Sequence, residues 1–351
     1  MIMGKKLFDF CLGNPPYNQE FDSQEGNKTY AAPVYNDFID AAIEVADKVE
    51  LIHPARFLFN AGSTPKAWNE KMLADPHFKV LHYEEDAASV FSNTEIKGGV
   101  AITYRDSKKE FGAIVVFTKY EILNSILKKV ISKKSFKGMS NMVVTRTAYR
   151  LTQKLHDDYP EAINQLSKGH AFDMSTNIFE RLPQVFYENA PNDGKEYSKI
   201  IGREGNVRTT KYIRRDYIND VVNYEYYKLL LPKANGAGAF GETLSQPIIM
   251  EPKTGSTETF ISIGSFTNKS EAESCLKYIK CKITRALLGI LKTTQDITPD
   301  KWKYVPIQNF SDASDINWNT SIKNIDKQLY KKYGLSDEEI NFVETNVKEM
   351  E

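Results

Sequence analysis

This sequence has no excess of charge of either sign: Lys plus Arg and Asp plus Glu are 46 each, for a formal net charge of +0. The field of the whole chain therefore does not gather a polyanion, and any nucleic-acid contact has to come from a local basic face. Cysteine is scarce, at three residues in 351. Cys11, Cys275 and Cys281 form no C-x-x-C pair, which argues against thiolate metal knuckles and a disulfide framework and fits buried thiols in a reducing compartment. No structural metal is expected. No apolar run approaches the ~20 residues of a membrane span, and no secretory-type apolar stretch follows Met1 to Lys6, so a cytoplasmic location is expected. Repeats and low-complexity tracts are also absent. With 41% hydrophobic and 26% charged residues, the composition is ordinary for globular protein, and the length leaves room for two domains.

What is present begins at residue 7. The apolar run Leu7 to Gly13 reads as a strand in the interior of a parallel sheet, and it ends in Asn14-Pro15-Pro16-Tyr17. In open α/β sheets, ligands sit outside the carboxyl ends of such strands, where Asn14 falls. The two prolines hold the turn in one geometry. The Asn14 side-chain oxygen and the Pro15 carbonyl are then two acceptors able to take both hydrogens of an amino group. Such a pair favours the pyramidal form with a localised lone pair, and its effect grows as the nitrogen becomes positive during alkylation. Tyr17 adds a ring on which a planar substrate can stack. The plain alternative is a proline-rich β-turn with a packed tyrosine.

Up to about residue 130 the order reads strand, helix, strand, helix, strand, strand. Leu7 to Leu12 is the first strand. A helix over 34–49 has Phe38, Ala42, Val45 and Ala46 on one face, and Val49 to His53 is the second strand. A helix from about Pro65 to Ala74 leads to a neighbouring strand pair at Val80 to Tyr83 and Gly99 to Tyr104. This is half of a doubly wound sheet, and an uncovered neighbour of the first strand would have to come from elsewhere in the chain, another copy or a partner. From about 131 to 330 short strands, helices and polar turns mix, as in a second domain. Ser270 to Leu291 has helical spacing, and Ser336 to Glu339 is a capping box opening a final helix within 331–351.

With Asn14-Pro15-Pro16-Tyr17 after its apolar strand, the chain resembles the adenine-N6 DNA methyltransferases of type II restriction-modification systems that carry a C-terminal target-recognition domain. Leu51 to Leu58 looks like that family's strand and loop after the catalytic turn, and Val90 to Asn93 with Gly99 to Tyr104 like its later strand pair. Tyr227 to Gly236, Lys301 to Pro306 and Leu329 to Met350 look, more loosely, like recognition-domain and tail segments. The resemblance implies an α/β fold, with the C-terminal half of a Rossmann-like methyltransferase sheet over 1–130 followed by a mixed α+β target-recognition domain over 131–330. It implies catalysis by Asn14, Pro15, Pro16 and Tyr17, base stacking by Tyr104, and duplex DNA as partner, with the target adenine flipped out of the stack. It also implies S-adenosyl-L-methionine as cofactor. The family's glycine-rich cofactor motif belongs before the catalytic turn, where this sequence shows none, so the cofactor site is expected to be incomplete, with a second subunit or an N-terminal region supplying it.

Arg203, Arg208, Lys211, Arg214 and Arg215, interleaved with Tyr212 and Tyr217, form the densest basic stretch with aromatics. They suit phosphate contacts and guanine readout, or equally a solvated basic face. Gly236 to Gly241 matches G-x-G-x-x-G, but strand-like Pro247 to Met250 leaves no room for the helix such a loop must open. Asp86 with Glu95 and Lys97 imitates a metal-dependent nuclease pattern that is frequent by chance. His53 reads as a structural hydrogen-bonder, and without a Pro-Cys dipeptide no covalent cytosine-C5 mechanism has a candidate thiolate. Two further readings stay open: a protein glutamine-N5 methyltransferase, which resembles the same turn, and a non-catalytic DNA-specificity subunit or fragment.

Overall fold

The computed structural model describes residues 6–18, 32–60, 62–91, 96, 98–236, 238–292 and 294–350. The chain divides into two compact units, Met1–Asn124 and Ser125–Glu351.

The first unit runs β1 (Phe8–Gly13), α1 (Tyr35–Val45), β2 (Ala46–Pro54), α2 (Lys66–Ala74), β3 (Phe78–Glu84) and β4 (Val100–Asp106). The four strands form one sheet in the order β1-β2-β4-β3. β1 lies parallel to β2, with Gly13 opposite Leu51, while β4 is antiparallel to both β2 and β3. The parallel pair is joined by α1, the crossover that parallel pairing requires. α1 buries Tyr35, Ile39 and Ala42, a stripe at i, i+4 and i+7. The expected face is displaced by one residue, because Phe38 is 45% exposed. Val49, Leu51 and Ala101 of the sheet pack with Tyr35, Phe57, Trp68, Met72 and Phe78 in one core. Each large apolar side chain in it contributes about 1.5–3 kcal/mol through burial.

β1 differs from its expected place. Its sequence is apolar enough for a sheet interior, yet it is an edge strand with Phe8 58%, Phe10 47% and Leu12 71% exposed. Cys11, on the opposite face, packs on the core. Apolarity alone does not assign a strand to an interior position; that needs a neighbour, and among the described residues β1 has one only on the β2 side.

The second unit opens with α3 (Glu121–Ile131), whose first residues belong to the first, followed by β5 (Val143–Val144), α4 (Gln153–Asp158), α5 (Ala162–Gln165) and α6 (Ile178–Arg181). Next come β6 (Tyr197–Glu204), β7 (Val207–Arg214), β8 (Tyr227–Pro232), β9 (Ile248–Met250), β10 (Thr254–Ser256) and β11 (Phe260–Phe266). Helices α7 (Lys269–Lys280), α8 (Lys282–Gly289), α9 (Ile322–Tyr333) and α10 (Asp337–Asn346) close the chain. One sheet has the order β10-β6-β7 and another β5-β11-β8-β9. The helix read over 270–291 is two helices, broken at Cys281, whose ψ of 143° is extended. Cys275 and Cys281 are buried free thiols. The closing segment is likewise two helices, with Gly334 at φ +65° ending α9 and the Ser336–Glu339 capping box opening α10.

Lys228 is fully buried in β8. Its ammonium donates to the carbonyl oxygens of Asn223 at 2.9 Å, Tyr226 at 3.2 Å and Tyr224 at 3.3 Å, closing the turn before the strand. Burial pulls its pKa down to about 8. Lys228→Met is expected to cost about 1–3 kcal/mol, since it strands three carbonyls while relieving one desolvated charge. Urea denaturation at pH 7 checks this; a variant as stable as the wild type would show that the turn does not depend on the lysine.

Candidate active site and nucleic-acid interface

The Asn14–Tyr17 turn leaves the carboxyl end of β1. Asn14 is exposed there, with Pro15 half-buried behind it. The turn is fastened at its far end: the Tyr17 carbonyl accepts from the Val34 amide at 3.0 Å, and Asn18 bridges Pro33. The Tyr17 ring meets Phe91 edge-on, with centroids 6.3 Å apart, and packs on the core. Its hydroxyl is buried with no hydrogen-bond partner among the described residues, and burial raises the phenol pKa.

At the same end of the neighbouring strand, His53 closes β2. Its Nδ1 lies 3.1 Å from the Pro54 carbonyl and its Nε2 2.7 Å from the Thr103 hydroxyl. A carbonyl can only accept, so Nδ1 carries the proton and Nε2 accepts from Thr103. The ring stacks on Tyr35 at 5.8 Å and 7°. Burial lowers its pKa to about 4, which suits a neutral structural histidine. Beyond it, Arg56 is exposed in a 3-10 turn, its side chain passing glycines: a Cβ on Gly98 would meet Arg56 Cγ at 2.5 Å, and one on Gly62 would meet Arg56 Cβ at 3.2 Å. Both glycines have positive φ. This cation stands at the carboxyl end of β2, beside the strand that bears the turn. The sequence pattern includes it only within the span Leu51 to Leu58; the signal is an arginine just past a strand end with glycines to follow.

Tyr104 is not brought to the turn. It pairs with Glu50, whereas Gly13 aligns through Leu51 with Thr103, so Tyr104 lies two strands over and below Asn14. Strand spacing puts that separation at about 10 Å sideways. Its ring has Lys79 Nζ at 5.6 Å and Phe111 at 5.9 Å, and its hydroxyl donates to Asp106 at 3.2 Å. Burial and then the Asp106 carboxylate push its phenol pKa up.

The basic stretch is spread over both faces of the β6–β7 ribbon and the turn after it. Lys211 is ion-paired to Glu204 at 2.7 Å and Glu188 at 3.2 Å. Arg214 is paired to Asp158 at 2.9 Å and Asp216 at 2.5 Å and lies over the Tyr217 ring at 4.3 Å. Arg215 is paired to Asp220 and lies over Tyr224 at 4.4 Å. Arg203 and Arg208 face each other across the ribbon.

Among the described residues no group of His, Cys, Asp and Glu could hold a metal ion, and no helix is long and apolar enough to cross a membrane. Asp86 caps a 3-10 turn by accepting from the Ala88 amide, while Glu95 and Lys97 lie outside the described residues. The Gly236–Gly241 loop is filled from within: the Gly238 amide donates to Glu242 at 3.2 Å, and Glu242 is ion-paired to buried Lys292. β9 follows without a helix between. A loop closed on its own carboxylate, with no helix N-terminus behind it, does not fit a cofactor phosphate or carboxylate. That loop is therefore not the site of S-adenosylmethionine expected from the resemblance.

Residues 1–91 match the Eco57I restriction-modification methylase family. No curated protein sequence matches. Among solved structures, the chain is similar to the type IIG restriction endonuclease BpuSI, at 9% identity and a TM-score of 0.32, covering 91% of this chain and 48% of that one. It is also similar to the type IIL restriction-modification enzyme MmeI, solved in complex with DNA, at 10% identity and a TM-score of 0.35, covering 96% of this chain and 56% of that one. The chain thus spans about half the length of these two proteins.

Proposed function

We propose that this chain carries the amine-binding and target-recognition portions of an adenine-N6 DNA methyltransferase in a restriction-modification system, with S-adenosylmethionine as methyl donor. One observation carries the reading: an exposed Asn14, backed by two prolines, stands at the carboxyl end of a parallel strand within the segment that matches a methylase family. Asn14 Oδ1 and the Pro15 carbonyl accept the two hydrogens of the adenine amino group, and the fixed turn holds these acceptors in place as positive charge develops on nitrogen. The Tyr17 ring offers one face to the flipped base. Tyr104 is the further stacking residue the resemblance suggests, at a place removed from the turn. The second unit supplies contacts to duplex DNA.

The donor site belongs to polypeptide outside the described residues. The outer edge of β1 supports this, because among the described residues it has no strand partner and is flanked by exposed Phe8, Phe10 and Leu12. A partner or preceding region that adds a parallel strand there would cover both.

The test is methyl transfer from labelled S-adenosylmethionine to duplex DNA by the chain together with donor-binding polypeptide, followed by nucleoside mass spectrometry. N6-methyladenine is the expected product. Label on cytosine, or on a glutamine side chain of a protein, would overturn the reading. The second reading, a DNA-specificity module without catalysis, is favoured by the one glycine-rich loop of the G-x-G-x-x-G pattern being closed on Glu242; duplex binding with no methylated product in that assay would establish it.

A further inference from the structure

β6 and β7 meet at Gly205 and Asn206, whose φ values of +52° and +65° make the two-residue turn that suits a twisted ribbon. β10 pairs with β6 only over Lys199–Ile201, so the tip from Gly202 to Thr209 is a two-stranded ribbon. At the tip Glu204 opposes Val207, and Arg203 opposes Arg208. The pair flanking such a turn exchanges the hydrogen bonds, so the next pair is of the non-hydrogen-bonded kind, whose side chains approach more closely. Two guanidiniums therefore share one side of the ribbon.

The other side is balanced, because Lys211 there meets Glu204 and Glu188. Arg203 is exposed and has no ion pair with a carboxylate among the described residues. Arg208 is held in place without one: it donates to the Gln246 carbonyl at 3.0 Å and lies over the Phe260 ring at 5.5 Å. Gln246 takes φ +39° where it offers that carbonyl, a left-handed conformation uncommon for a non-glycine residue. Burial and then the charge of Arg203 push the Arg208 pKa down. Like charges directly opposed on a strand pair destabilise it. An anion between them reverses the sign.

We propose that the β6–β7 tip enters the major groove of duplex DNA, with Arg203 and Arg208 gripping backbone phosphate at the groove wall. This rests on the DNA reading of the second unit given above. The B-form major groove admits a two-stranded ribbon, whereas the A-form groove of duplex RNA is too narrow and deep. Val207, 65% exposed at the tip, is the apolar side chain the ribbon carries inward. Of the five basic residues in the stretch, these two make the phosphate contacts; Lys211, Arg214 and Arg215 hold the fold through their carboxylates.

The test uses the full chain and a labelled random-sequence DNA duplex, with anisotropy titrations from about 50 to 200 mM salt. The double variant Arg203→Gln/Arg208→Gln is expected to bind about tenfold or more weakly, with a log–log salt slope shallower by about 2, since each phosphate contact contributes about 0.9. Arg203→Lys/Arg208→Lys should restore the slope, and Lys168→Gln, an exposed lysine elsewhere, should change nothing. Thermal melting of each variant confirms that the fold is intact. Unchanged affinity and slope in the double glutamine variant would overturn the proposal, as would equal affinity for an RNA duplex, or no binding of DNA by the wild-type chain. Failure here is separable from failure of the methyltransferase reading: arginine-dependent binding without N6-methyladenine sinks only the latter, and methylation with arginine-independent binding sinks only the former.

Discussion

Replacing Asn14 by alanine is expected to lower adenine methylation by about 100- to 1,000-fold in the assembled enzyme, the loss typical of removing one preorganised polar contact to developing charge. The amino nitrogen of adenine is a poor nucleophile because its lone pair is shared with the ring. On the proposed reading, Asn14 and the Pro15 carbonyl act only as that sharing is lost, so the effect is expected in kcat, with KM for DNA little changed. Asn14→Asp keeps an acceptor in the same place and should retain more activity than alanine. DNA affinity should stay at the wild-type value in both, since Asn14 is exposed at the end of β1 and has no part in the ribbon of the second unit. Single-turnover methylation alongside anisotropy separates the two quantities, and an alanine variant with unimpaired turnover would remove Asn14 from the active site. Tyr17 asks for a gentler substitution. Alanine there deletes core packing along with any stacking, whereas Tyr17→Phe keeps the ring and removes a buried hydroxyl without a partner. Phenylalanine should therefore leave both stability and methylation near wild type.

The sequence carried the order of elements in the first unit because that order is written in local pattern: a short apolar run, then a stripe at helical spacing, then another run. It carried the turn for the same reason, since four consecutive residues define it. The edge position of β1 was not legible, because Leu7 to Leu12 has the same apolarity whether or not a neighbour is present on its second side. The break at Cys281 was missed because Leu276, Ile279, Ile283 and Leu287 keep helical spacing across one extended residue. The basic stretch shows the limit most plainly. Its five cations are adjacent in sequence, but Glu188, Asp158 and Asp220, which neutralise three of them, come from elsewhere in the chain or from the turn beyond. Only the fold shows that Arg203 and Arg208 are left facing each other. Tyr104 fails to reach the turn for a related reason: strand register, which the spacing of residues in sequence does not fix, sets it level with Leu12.

Acidification from pH 6.5 to pH 4 is expected to weaken the first unit by about 3 kcal/mol through His53 alone. The pKa of this fully buried imidazole falls from 6.5 to about 4 on folding, because burial penalises its charged form. Its Nδ1–H is committed to the Pro54 carbonyl and its Nε2 to the Thr103 hydroxyl, and no carboxylate is among these partners to receive a second proton. Between those two pH values the unfolded chain therefore binds a proton that the folded unit does not. The stability present at neutral pH is lost as pH falls through the window, and the loss levels off below about 4. In the second unit Asp326 works in the opposite direction. Burial raises its pKa from 3.8 to about 6, so its contribution is complete below 3.8 and is lost as pH rises through 6. Its carboxylate accepts the Lys282 and Ile283 amides at the start of α8, which holds the pKa below what burial alone would give. Hydrogen exchange measured peptide by peptide, and corrected for the pH dependence of intrinsic exchange, reads the two units separately. Protection over β2 and β4 should fall between pH 6.5 and 4, while Asp326 offsets acid loss around α8. His53→Gln removes the titrating group and should flatten the response over β2 and β4 without changing that of α8. A first unit whose protection in the glutamine variant falls as steeply as in the wild type would place the acid sensitivity elsewhere in its core.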